Sequence, residues 1–414
     1  MHGNRFAAAL GLVVFMGIAW LLSARRRRVN WRVVIGGTLL QLIFAVIVFR
    51  VPGVDRFFTA ANTLFLRLLA AAQEGPRFVF GALGGPESPV GFILAFQGLA
   101  LILFFAALMT LLYYWRVMPL LIRGFAWLFT RLMRVSGAES LCAAGNVVMG
   151  IESFTAIRPL MAKLTRSEYG TILTAGMATV ASTTLGIYVL FLKDLMPGIA
   201  GHLICASILS APAALVMSKL ILPEEGMPET LGHQPRLEPL EADGAMDALV
   251  QGATAGMQML LGIVTLLVAF IGLLAAANGL LGWAGRLAGL PLSIEGLLGF
   301  LFRPLAWLMG IPAADAARAG NLLGLRFVAT EIPAYQQLAA ALRDNLFTAP
   351  RSPVILAYAL CGFAHVASLA IFTGGAVALA PDRRTDILAA GPRALVAATL
   401  ACLMTGAVAG LFTR

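Results

Sequence analysis

The chain has 414 residues, is 60% hydrophobic and only 12% charged, with a mean hydropathy of +0.88. A soluble domain is nearer half apolar and a quarter charged, so a water-soluble fold is excluded and an integral membrane protein is expected. The formal charge of +10 sits in short basic clusters between apolar runs, where it orients spans in a bilayer and excludes a nucleic-acid surface.

Eight segments are long and apolar enough to cross about 30 Å of hydrocarbon: residues 6–22, 33–49, 90–114, 170–192, 201–222, 253–280, 353–380 and 393–412. The first, followed by Arg25 to Arg28, has neither a basic leader nor a small-residue cleavage site, and reads as a retained span. Arg25 to Arg28, Arg116, Arg123, Arg131, Arg134, Lys163, Arg166, Arg383 and Arg384 fall on one side if the N-terminus starts outside. The positive-inside rule therefore puts both termini outside the cytoplasm. The loop 223–246 is acidic yet lands inside; acidic residues weigh little in that rule.

Three apolar stretches carry charge at helical spacing and suit helices lying in the interface: 55–75, 119–134 and 289–309. Two others, 139–163 and 317–342, are interrupted near their middle by polar residues and must begin and end on the same side for the topology to close. They read as re-entrant hairpins, one from each face. Such backbone survives at membrane depth only where it is buried in protein or lines a wet cavity, so an internal site is implied.

The pattern occurs twice. Met177-Ala-Thr-Val-Ala-Ser182 and Phe363-Ala-His-Val-Ala-Ser368 share four of six positions, each about 30 to 40 residues beyond a glutamate in an apolar setting. Small polar residues and glycines break both spans, at Ser182-Thr-Thr184 with Gly186 and from Gly362 through Ser368 with Gly374-Gly375. The proline-bearing acidic linker 223–246 separates the copies.

Two carboxylates stand out because charge in a span costs about 2.5–3.5 kcal/mol on insertion scales. Glu152 reads as a hairpin-tip acceptor for a polar substrate, or else as an ion pair with Arg158. Glu331 has no basic neighbour nearer in sequence than Arg326, and Pro333 follows it. His365 occupies the second broken span at the place of Thr179 in the first, either as a satisfied core histidine or facing the cavity. Asn146, Thr183 and Ser368 add small polar groups that, with freed carbonyls, suit a hard cation such as Na⁺. Cys142, Cys205, Cys361 and Cys402 lie in apolar segments without CxxC spacing, implying neither disulfides nor zinc. There is no GxSxG, HExxH or P-loop, so neither an enzyme nor an ATP-driven pump is expected. Clustering of polar residues at two hairpins and two broken spans favours a carrier over a continuous pore.

The runs Thr165-Arg-Ser-Glu168, Gly176-Met-Ala-Thr-Val180, Ser210-Ala-Pro-Ala-Ala214, Tyr358-Ala-Leu-Cys-Gly-Phe-Ala364 and Ala378-Leu-Ala-Pro-Asp-Arg-Arg384, with Gly374-Gly375, carry a family likeness over nearly the whole chain. The sequence resembles the concentrative nucleoside transporters in their bacterial eight-span form. The resemblance implies an all-α inverted-repeat membrane protein of the bacterial inner membrane, with eight transmembrane helices, two re-entrant hairpins of opposite orientation and interfacial helices. It implies a homotrimeric, Na⁺-driven nucleoside symporter of elevator type, with an H⁺-coupled carrier of a related ribosyl compound as the alternative. It divides the chain into 1–138 (scaffold spans and interfacial helices), 139–222 (first hairpin repeat of the transport domain), 223–316 (linker, sixth span and interfacial helix) and 317–414 (second hairpin repeat). It assigns the ribose to Glu331 and Ser368 with His365 beside them, the base to Glu152, further substrate contacts to Ile151 and Tyr188, and Na⁺ to Asn146, Met149, Thr183 and Thr184, with no cofactor beyond the coupling ion. The implied partners are a nucleoside, Na⁺ or H⁺, and the lipid bilayer. The chain also departs from the family: Gly150-Ile-Glu152 is one residue shorter than the usual first-hairpin motif, and His365 and Thr330 stand where asparagines are common. These departures imply a remodelled base pocket and an unusual nucleoside.

Overall fold

The computed structural model describes residues 2–85, 88, 91–147, 149–235, 237, 240–287, 289 and 292–413, and of His2, Asp55, Ile151, Glu152, Thr155 and Ala156 the backbone alone. In chain order the helices are α1 (His2–Leu21), α2 (Trp31–Arg50), α3 (Val54–Phe80), α4 (Leu101–Tyr114, entered through a π-helical turn Leu94–Leu99), α5 (Val117–Met133) and α6 (Gly137–Asn146). A 3-10 helix, Ile151–Lys163, precedes α7 (Arg166–Ala178), α8 (Ser182–Leu192), α9 (Ile199–Ile221) and α10 (Ala245–Leu287). The remainder is α11 (Ile294–Leu308), α12 (Ala313–Val328), α13 (Glu331–Arg343), α14 (Arg351–Leu360), α15 (Val366–Leu379) and α16 (Arg384–Phe412). No strand is formed among the described residues, and one isolated bridge joins Ser136 to Leu231.

Among the described residues seven stretches are long and apolar enough to span a membrane, one of them, Arg166–Leu192, running across the break between α7 and α8. The eighth expected span, 353–380, is divided into α14 and α15. The first break is displaced from its expected position, while the second lies largely within the expected Gly362 to Ser368. The first falls at residues 179–181, and Ser182 to Thr184 open α8 instead of interrupting the span; the second covers 361–365, and Gly374 and Gly375 lie inside continuous α15. Two helices are longer than expected: α10 runs for 43 residues and exceeds 253–280 at both ends, and α16 begins at Arg384 instead of 393. At 1.5 Å per residue α10 is about 65 Å long, roughly twice the hydrocarbon thickness. Its apolar residues Leu261, Val268 and Leu280 are exposed. The expected interfacial stretches correspond to α3, α5 and α11, which carry their apolar residues largely on one side.

The two repeats follow one order: α6, 3-10 helix, α7, α8, α9, and then α12, α13, α14, α15, α16. The buried centre is α7, α9, α14 and α16 packed on one another. Around it, α1 packs on α16, α2 on α9, α4 on α10, and α11 on α12. With no hydrophobic drive between helices in lipid, close packing through small residues has to hold them. On α10, a methyl group at Gly252 would lie 2.8 Å from the Ala106 carbonyl, and one at Gly256 3.0 Å from Leu103 Cα. On α11 and α12, Gly299 and Gly320 leave no space for a Cβ either.

Each hairpin region is tied at its base by a buried carboxylate. Ser136 and Glu139 form a capping box on α6, and Thr165 and Glu168 form one on α7. Lys219, at the end of α9, reaches Glu139 at 2.5 Å and Glu224 of the linker at 3.2 Å, with Ser167 Oγ at 2.8 Å. The linker then lies against the same base through Gly137 N to Thr230 O (2.9 Å) and Lys163 to Glu229 (2.9 Å). In the second repeat Asp315 of α12 accepts from Thr348 N, Thr348 Oγ1, Ala349 N and Ser352 Oγ at 2.6–3.2 Å. The four cysteines are free and buried.

Candidate functional site

Both broken spans end inside the protein. A helix leaves its last carbonyls and first N–H groups without intrahelical partners, and at these breaks water cannot supply them. Side chains of the neighbouring elements therefore converge on the breaks, and the sequence's candidate residues are among them.

Glu331 is the first residue of α13, where the helix N-terminus favours a negative charge. It is 4% exposed. Tyr188 of α8 donates its hydroxyl to Glu331 Oε1 at 2.7 Å. The Tyr188 ring stacks on that of Tyr335, with centroids 4.5 Å apart and planes at 15°, and Tyr335 in turn donates to Ala357 O at 2.7 Å. Tyr335 is one turn beyond Glu331 on α13 and locks the carboxylate's partner in place. Its role leaves little sign in the sequence, because an aromatic residue on an apolar helix reads as core.

His365 caps α15: Ser368 N donates to its Nδ1 at 3.1 Å. With Nδ1 accepting, the ring proton belongs on Nε2, an assignment made from the hydrogen-bond pattern. Nε2 lies 2.8 Å from both Ser368 Oγ and Glu331 Oε2. The imidazole N–H faces both oxygens, and beyond it Oε2 meets no other donor among the described residues. The Ser368 hydroxyl accepts from the imidazole and keeps its own hydrogen free, so an open acceptor and an open donor flank one histidine. Thr330 Oγ1, on the residue before Glu331, is also buried and without a partner.

The first break is built differently. Asn146, the last residue of α6, is fully buried and donates Nδ2 to Cys142 O at 2.9 Å, while its Oδ1 has no partner among the described residues. Ser207 of α9 donates toward Val147 O at 3.0 Å and Val180 O at 3.5 Å, placing the tip of the first hairpin region beside the break in the following span. Of the other expected cation ligands, Thr184 bonds Ala181 O at 3.0 Å within the break, and Thr183 is turned to the Met259 sulfur of α10 at 3.7 Å. Met149 is half-buried, its N–H bonded to Gly145 O at 2.7 Å. The side chains of Ile151 and Glu152 lie outside the described residues. Among the described residues no cluster of three or more His, Cys, Asp or Glu could hold a metal ion.

An all-helical membrane fold with two broken spans, their inner ends gathered around a buried carboxylate and an unpartnered amide oxygen, is the architecture of a membrane transporter. Comparison with known proteins gives the family. Family models described as Na⁺ dependent nucleoside transporter N-terminus and C-terminus match residues 10–83 and 202–410, and one described as nucleoside recognition matches 95–195. The nucleoside permease NupC of Helicobacter pylori is 33% identical over 98% of this chain and 97% of its own. Solute carrier family 28 member 3 of Eptatretus stoutii is 35% identical over 99% of this chain, which spans 60% of that longer protein. Among solved structures, CNTnw in an inward-facing substrate-bound state is 33% identical with a TM-score of 0.88, over 99% of this chain and 98% of that one. A CNTnw variant in an outward-facing state is 33% identical with a TM-score of 0.91, over 100% and 99%. The chain belongs to the concentrative nucleoside transporter family. Its relatives are transporters and not enzymes.

Proposed function

We propose that the protein imports nucleosides by Na⁺ symport, with the ribose held at the second break and the ion at the first. The observation that carries this reading is the open lone pair of buried Glu331 Oε2 beside the free hydrogen of Ser368. A sugar hydroxyl is both donor and acceptor, and this pair supplies both complements. Charge-assisted bonds of this kind contribute about 1.5–3 kcal/mol each. Tyr188 acts by fixing the carboxylate, and the base lies toward Glu152 and Ile151. Na⁺ is taken by Asn146 Oδ1 with carbonyls freed at the hairpin tip and the first break, Met149 and Thr184 marking the two sides of that site and Thr183 closing it next to α10.

Both nitrogens of His365 are engaged, one of them by a backbone N–H, which fits a fixed polar link better than a coupling proton. The two hairpin regions enter from opposite faces, and the repeats 139–222 and 317–414 move together in an elevator-type cycle against the rest of the chain. The protein works as a homotrimer in the bacterial inner membrane with both termini outside the cytoplasm. Uptake into proteoliposomes across a panel of nucleosides, with Na⁺ and pH gradients imposed separately, tests the reading. Saturable uptake that requires inward Na⁺ is expected, and uptake that ignores Na⁺ and follows pH overturns it.

A further inference from the structure

Arg326 is a large charged side chain of the interior that the binding chemistry above leaves unused. It lies in the last turn of α12, three residues before the break at Ala329 and Thr330, and is 0% exposed. Its Nη1 donates to Ala359 O at 2.8 Å, and the Cys402 thiol lies against the same guanidinium. Nε and Nη2 find no hydrogen-bond partner among the described residues. A buried guanidinium held by one carbonyl is costly unless something else compensates its charge.

The compensation is the end of α14. This half-helix stops inside the protein at Leu360, so its last carbonyls carry the negative end of the helix dipole with no water to solvate them. Tyr335 takes one of those carbonyls, Ala357 O, and Arg326 takes Ala359 O. At the corresponding place in the first repeat α7 stops at Ala178, and the groups that meet its end are neutral. Thr179 Oγ1 bonds Ala175 O at 2.8 Å, and the Cys402 thiol faces Ala178 O at 3.7 Å. Ser207 spans Val147 O and Val180 O just beyond. There the last residue of the hairpin's first helix is Asn146, with an oxygen lacking a donor. The two repeats are thus complementary in what they lack. The first presents an unpaired acceptor beside a half-helix end met by neutral donors, and the second presents a cation with donors to spare.

We propose that Arg326 is a tethered cation, doing permanently in the second repeat what the coupling ion does reversibly in the first: neutralising the inner end of the broken span and holding the hairpin tip against it. Only the first break then needs an ion from solution. The comparison between repeats rests on the symport reading, but the role of the Arg326 charge is testable without it.

The experiment is nucleoside uptake by proteoliposomes containing Arg326→Ala, with and without added guanidinium or methylguanidinium, and with urea as the neutral control of the same shape. Loss of one charge-assisted anchor is expected to lower uptake about tenfold to a hundredfold. Guanidinium should restore a large part of it and urea should not. A second pair covers the case in which Arg326→Ala does not fold: Arg326→Lys keeps the charge and should retain uptake and thermal stability, whereas Arg326→Gln should lose both. Uptake near wild type in Arg326→Ala, equal rescue by urea and guanidinium, or equal behaviour of the Lys and Gln variants each overturns the proposal. Wild-type vesicles run in parallel with and without Na⁺ keep the two ideas separate, since indifference to Na⁺ removes the symport reading and leaves the guanidinium comparison standing.

Discussion

Replacing Glu331 by glutamine tests sugar recognition with little change in volume. In the structure Oε1 receives the Tyr188 hydroxyl at 2.7 Å, and Oε2 lies 2.8 Å from the protonated nitrogen of His365 while remaining open to a ligand. The amide must place its NH₂ at one of these two positions. Facing Tyr188, it turns the phenol from donor to acceptor and exchanges a charge-assisted bond for a neutral one; facing His365, it sets a donor against the imidazole N–H and removes the acceptor a ribose hydroxyl would use. Either way one or two charge-assisted bonds of about 1.5–3 kcal/mol are lost. At about 1.4 kcal/mol per decade this raises the apparent KM for ribosides about tenfold to several hundredfold. The assay is initial-rate uptake of a riboside and of its 2′,3′-dideoxy analogue, which lacks the hydroxyls in question. The dideoxy compound should be a poor substrate of the wild type and be little affected by Glu331→Gln. An equal loss for both compounds would refute the reasoning and make the carboxylate structural.

Asn146→Ala removes the unpartnered oxygen at the first break, and a rise in the Na⁺ concentration giving half-maximal uptake is expected, with maximal uptake changed less; an unaltered Na⁺ dependence would place the ion elsewhere. Lys219→Met leaves Glu139 buried without its cation at 2.5 Å, and breaking such a pair costs about 3–5 kcal/mol, read as a lowered Tm of the purified protein. The same change with Glu139→Gln added should recover part of the loss, and full additivity would show that the two side chains do not act as a pair. Glu229→Cys in the linker should react with a membrane-impermeant maleimide only from the cytoplasmic side. Labelling from outside would reverse the orientation.

Much of this architecture could be read from residue patterns because lipid imposes a strict rule: apolar runs span, and polar residues inside them need a reason. The rule located Glu331, His365, Asn146 and both broken spans. It puts the first break a few residues late and extends the second to Gly374-Gly375, because Ser182 to Thr184 and Gly374-Gly375 are small residues that α8 and α15 accommodate, and the departure from helix is set by tertiary partners such as the His365 cap. α10 exceeds the apolar run 253–280 because Asp247, Gln251 and Arg286 continue the helix beyond it. Tyr335 and Arg326 were not singled out for function. Tyr335 acquires its role only by stacking on a residue 147 positions earlier in the chain, Tyr188. Arg326 acquires its role from the end of a half-helix whose inner terminus appears only once the break at 361–365 is placed. The linker was recognised as acidic and as a seam, but its attachment to the base of α6 through Lys219 depends on the fold.

The central claim, that nucleoside movement is driven by Na⁺, is tested most directly by the final accumulation ratio of a labelled nucleoside in proteoliposomes at clamped zero membrane potential. With a tenfold inward Na⁺ gradient and no pH gradient, each coupled ion contributes about 1.4 kcal/mol, so uptake should overshoot toward about tenfold accumulation per ion coupled and collapse when an ionophore equalises Na⁺. Mere equilibration of the nucleoside under that gradient, with accumulation appearing only when a pH gradient is imposed instead, would contradict the account.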